Sequence, residues 1–83
     1  MLPVQYNTLQ HEMVQIIRLH RNIEPVKLLN RNFDQLGFET IDNVDIILEV
    51  EKAYHITIPD EVPLNKVEDF VHFIANQSMR LSA

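Results

Sequence analysis

A chain of 83 residues buries only about 60% of the surface its unfolded form exposes, which suits one small domain spanning 1–83 and excludes a large substrate cavity. With no cysteine there is no disulfide framework, no thiolate metal site and no thiol nucleophile. The net charge of −5 is unevenly spread: residues 1–31 carry four basic residues against Glu12 and Glu24, while residues 32–70 carry ten acids against Lys52 and Lys66. Such a surface repels phosphate backbones, which argues against nucleic-acid binding, and attracts basic patches on proteins. A solvated face that keeps a small protein in solution explains the same charges equally well.

The segment Met1-Leu2-Pro3-Val4-Gln5-Tyr6 has neither a positive start nor a long apolar core, and no apolar run approaches the roughly 20 residues that span a bilayer. A soluble, cytoplasmic protein is expected, with no membrane role. Leu9, Met13, Ile16 and Ile17 recur at helical spacing behind Asn7 and Gln10, placed like a capping box, which predicts a first helix from about Thr8 to His20. Asn22 and Pro25 signal its end. Residues 22–39 read as a long connection anchored by Ile23, Val26, Leu28, Leu29 and Phe33, with one helical turn starting at Pro25.

A second helix is expected from about Ile41 to Tyr54. Ile41, Val44, Ile47 and Leu48 would form its buried face, widened by Ile46, Val50 and Ala53, and Asp42, Asp45 and Glu49 an exposed acidic strip opposite. Like charges at that spacing repel by a few tenths of a kcal/mol per pair, so a basic partner would relieve them. The stretch Ile58-Pro59-Asp60-Glu61-Val62-Pro63 is too rich in proline for more than a turn or a helical fragment. The final helix is announced by Asn65 and Glu68 as a capping-box pair and by Val67, Phe70, Val71 and Ile74 at i, i+3, i+4 and i+7. Three substantial helices and one vestigial one around a single core follow from this pattern.

The run Phe33-Asp34-Gln35-Leu36-Gly37-Phe38-Glu39-Thr40-Ile41-Asp42 resembles the region of acyl carrier proteins in which a Leu-Gly pair precedes Asp-Ser-Leu. Downstream, Val44-Asp45-Ile46-Ile47-Leu48-Glu49-Val50-Glu51 looks like that family's acidic second helix. Tyr54 stands where the family has an aromatic, and Ile58-Pro59-Asp60-Glu61 matches its Ile-Pro-Asp-Glu turn. The resemblance implies an all-α, four-helix bundle with a long first loop and a short third helix. It also implies a function: carriage of acyl groups as thioesters on a 4'-phosphopantetheine arm, for fatty-acid or related biosynthesis. The partners it implies are basic patches of acyl-processing enzymes or of a phosphopantetheinyl transferase, met by a monomer through Glu39, Asp42, Asp45 and Glu49.

Thr40 occupies the position where the resemblance places the serine that takes the arm. A primary hydroxyl at a helix N-terminus is open to the transferase, and the phosphodiester then sits at the positive end of the helix dipole. Threonine keeps the oxygen but makes it secondary, adds a methyl and stiffens χ1, so transfer should slow. Thr40 would also serve simply as an N-cap. Ser78 and Ser82, the only serines, lie too far along the chain to substitute. Three readings stay open: a carrier loaded at Thr40, an arm-less interaction or regulatory module that keeps the fold and its docking helix, and a working carrier in which threonine was put in place of serine.

No catalytic constellation is present. His11, His20, His55 and His72 are scattered without a ligand-like pair, and there is no glycine-rich phosphate loop or Gly-x-Ser-x-Gly turn. Neither an enzyme nor a metal site is expected.

Overall fold

The computed structural model describes residues 6–82, with side-chain burial through residue 77; Met1 to Gln5, in the segment with neither a positive start nor a long apolar core, lie outside the described residues. All regular structure within that span is helical. Helix α1 runs over Tyr6–His20, α2 over Pro25–Asn30, a 3-10 turn over Asp34–Leu36, α3 over Thr40–Tyr54 and α4 over Val67–Ser82.

Helix α1 is the central element, packed against both α3 and α4. Its buried residues Leu9, Met13, Val14 and Ile17 follow the expected stripe, while Asn7 and Gln10, expected as its capping box, lie inside Tyr6–His20. The turn expected at Pro25 is a six-residue helix with proline at its first position, where a missing N–H costs nothing. Leu28 of α2 is fully buried. The four helices of the bundle thus include this one inside the first loop. The segment Pro59–Val62, where the short third helix was expected, forms only a turn, closed by the Val62 N–H on the Pro59 carbonyl at 3.2 Å.

The long loop crosses the bundle on aromatic anchors. Phe33 and Phe38 are buried and stacked, 5.2 Å between ring centroids, and Phe33 lies 6.1 Å from Phe70 of α4. The Phe33 N–H donates to the Asn65 carbonyl at 2.7 Å, tying the first loop to the connection before α4. In α4, Val67, Phe70, Val71, Ile74 and Ala75 all join the core. Because α4 starts at Val67, it is Asp69 that accepts from the Asn65 N–H, at 2.8 Å, while Glu68 pairs with His72 at 3.3 Å. The capping partner of Asn65 is therefore one residue later than the spacing suggested.

Candidate functional site

The chain leaves the 3-10 turn at Gly37, whose φ of 82° lies in the left-handed region that favours glycine. It passes the buried Phe38, runs extended through Glu39 and enters α3 at Thr40. Glu39 is the N-cap and Asp42 the third helical residue, and the two form a capping box in which the Glu39 N–H donates to Asp42 Oδ2 at 2.8 Å. Thr40 is thus the first helical residue and not the cap, which corrects the capping role considered for it. It is exposed, as a modifiable residue must be. Thr40 and Ile41 precede the first intrahelical bond, Asn43 N–H to Glu39 O at 3.1 Å, so their N–H groups point out of the helix end.

The acidic strip is rearranged. Asp42 is not free: His20 Nε2 lies 3.0 Å from its Oδ1 and Arg21 Nη1 lies 3.2 Å from its Oδ2, leaving its side chain 16% exposed. These contacts hold the Asp42 carboxyl below its ordinary range, the Glu39 N–H contributing most, the His20 ring next and the Arg21 charge after them. Asp45 is half-buried, and Glu49 is exposed with Lys52 Nζ 3.7 Å away. The exposed acids of the expected set are therefore Glu39 and Glu49, with Asp45 partly accessible and Asp42 spent on α1.

Only part of the broad apolar face expected for α3 is buried. Ile46 and Val50 are buried and Ile47 is partly so, whereas Ile41 is 64%, Val44 46% and Leu48 54% exposed. Positions 41, 44 and 48 share one stripe at helical spacing, and Asp45 and Glu49 follow two of them along the chain. Three large aliphatics open to water on consecutive turns are more than scattered surface apolarity. The sequence held one signal of this. Aliphatics at 41, 44, 46, 47, 48 and 50 surround α3, more than a single face can bury. Sequence reasoning also missed His20 and Arg21, whose only hint was a basic end of α1 in a chain with an acidic middle.

The α1–α3 seam is closed at its other end by Tyr54, whose hydroxyl donates to Glu12 Oε1 at 2.7 Å. Burial first, and Glu12 second, push the Tyr54 hydroxyl well above its ordinary value of 10.0. Between these two ties runs an open groove of about 340 Å³ lined by Ile16, Leu19, His20, Glu49 and Ala53. Among the described residues no group of three or more His, Asp or Glu could hold a metal ion, and no helix is long and apolar enough to cross a membrane.

Fold and site define a small helical bundle that presents a hydroxyl and an apolar, acid-rimmed stripe from the start of one helix. No protein-family model matches the chain. It is 32% identical over 65 residues to the acyl carrier protein of Campylobacter jejuni (strain RM1221), covering 76% of this chain and 84% of that one. It is 28% identical over 72 residues to an acyl carrier protein of Rickettsia bellii (strain OSU 85-389), covering 82% and 89%. To an acyl carrier protein of Rickettsia bellii (strain RML369-C) it is 32% identical over 56 residues, and there it spans 65% of the relative's length. The chain belongs to the acyl carrier protein family. Its relatives are named as carriers, not as enzymes.

Proposed function

We propose that the protein is a carrier with Thr40 as its attachment position and the Ile41–Val44–Leu48 stripe as its docking face. The observation that carries this is the exposure of Thr40 at the first position of α3, on the helix that leaves those three aliphatics in water. The residues suit a phosphopantetheine arm: a hydroxyl for the phosphodiester, outward N–H groups of Thr40 and Ile41, and the positive end of α3 to favour an anion. Bound there, the arm supplies a thiol that takes an acyl group as a thioester. The chain's own task is then to present the hydroxyl and to dock. Apolar contact through Ile41, Val44 and Leu48 supplies affinity, while Glu39, Asp45 and Glu49 select a partner whose rim is basic. Acyl-processing enzymes and a phosphopantetheinyl transferase are partners of that kind, and a cytoplasmic monomer with transient contacts fits the exposed face.

A second reading, an arm-less docking or regulatory module, is favoured by the β-branch of Thr40, which crowds the oxygen that must attack. Intact mass after incubation with coenzyme A and a broad-specificity phosphopantetheinyl transferase separates the two, with a Thr40→Ser variant alongside. Mass gain by the parent establishes carriage. Gain by the variant alone leaves a docking face and removes the arm from the natural protein; gain by neither refutes docking of that transferase.

A further inference from the structure

Glu39, Thr40 and Ile41 are all exposed, so no apolar packing fixes the point at which Thr40 is presented. What fixes the turn lies on either side of it. The Arg21 Nη1 donates to the Gly37 carbonyl at 3.4 Å and to Asp42 Oδ2 at 3.2 Å, and the guanidinium carbon lies 5.0 Å above the centroid of the Phe38 ring. One cation therefore grips the backbone three residues before Thr40, the ring two residues before it and the carboxylate two residues after it. Arg21 is itself held, because its N–H closes the end of α1 on the Ile17 carbonyl at 2.8 Å. The guanidinium suits this: its Nη1 donates to both acceptors while its carbon lies over the ring face, a broad cation that an ammonium on a flexible stem does not reproduce.

We propose that Arg21 is a positioning residue for Thr40, clamping the Gly37–Asp42 turn so that the hydroxyl is offered to an incoming transferase in one orientation. The proposal rests on the reading of Thr40 as the attachment position. A contribution to stability does not account for the arrangement, since an ion pair with a side chain 39% exposed adds little in water. A reacting oxygen displaced by as little as an ångström forfeits much of its rate, so the clamp acts on turnover and not on affinity. His20 shares Asp42 but, among the described residues, makes no hydrogen bond to Gly37, and so bonds one side of the turn only.

The test is made on the full chain in a Thr40→Ser background, comparing Arg21 with Arg21→Met and Arg21→Lys. Within residues 38–42, amide hydrogen exchange at Phe38, Glu39 and Asp42, whose N–H groups are hydrogen-bonded, should accelerate about tenfold in Arg21→Met while the core amides of α1 and α4 keep their rates. In transfer from coenzyme A by a broad-specificity transferase, kcat should fall about tenfold and KM for the protein should change less than about twofold. Arg21→Lys, which retains a charge for Asp42 but not the two-sided grip, should fall between. Unchanged exchange at 38–42, acceleration spread uniformly over the chain, or a loss confined to KM each overturns the positioning role. A Thr40→Ser chain that is never loaded removes the attachment reading and with it the effect on turnover. The exchange rates then still decide whether Arg21 holds the turn.

Discussion

Helices α3 and α4 are of nearly equal length, 15 and 16 residues, and both are rich in aliphatics, yet they spend them differently. In α4 the apolar residues at 67, 70, 71, 74 and 75 all turn inward. In α3 only Ile46 and Val50 are fully buried, and Ile41, Val44 and Leu48 face water. Burying a side chain of that size is worth roughly 1.5–3 kcal/mol, which α3 forgoes three times on one stripe. A helix that packs with one face is scaffold. A helix that packs with one face and leaves another in water has an apolar surface of the kind the proposed docking would use.

The sharpest way to break that contrast is to truncate one residue of each kind. Phe70→Ala should destabilise the protein by about 3–5 kcal/mol in urea unfolding, because it opens a hole beside Phe33 that the bundle cannot close. Leu48→Gln should stay within about 0.5 kcal/mol of the parent while weakening the transferase interaction. Similar losses from both would mean that Leu48 is core after all, and the docking face would fall. A smaller effect is expected at the far end of the α1–α3 seam, where Tyr54→Phe removes the bond to Glu12 and should cost about 1 kcal/mol. Its pH dependence is the check. With the folded pKa raised above 10.0, the hydroxyl's contribution is complete below that value and is lost as pH climbs toward the higher folded one, so the phenylalanine variant should show a flatter alkaline limb.

Most of the fold could be read from the chain, and the exceptions share a cause. In α4 Val67, Phe70, Val71, Ile74 and Ala75 lie on one stripe, so a 3.6-residue period picks out the core positions. In α3 they lie all round, and the period cannot choose between the face of Ile46 and Val50 and the face of Val44 and Leu48. The choice is made by α1 and the residue after it, where Glu12 takes Tyr54 and Arg21 takes Asp42, partners 42 and 21 residues apart in sequence. Neither pairing leaves a local mark. The short helix moved for a local reason that is visible in hindsight: Pro25 leads a proline-free stretch, whereas Pro59 and Pro63 bracket theirs. At the site, Thr40 is exposed at the start of α3, but the acidic strip is not open throughout because Asp42 is bound from within its own chain.

That internal binding yields the smallest effect, one of slope more than depth. Asp42 is held below 3.8 chiefly by the Glu39 N–H and then by the His20 ring, with Arg21 adding and partial burial opposing. A depressed carboxyl contributes its stability in full above the unfolded value and loses it as pH falls through the folded one. Asp42→Asn should therefore flatten the acid limb below about pH 4, followed by thermal melts across that range. An acid limb identical to the parent's would show that His20 and Arg21 do not grip Asp42 in solution. Asp42 would then rejoin Glu39, Asp45 and Glu49 on the rim of the docking face, and α3 would present a more acidic surface to its partners than the structure gives it.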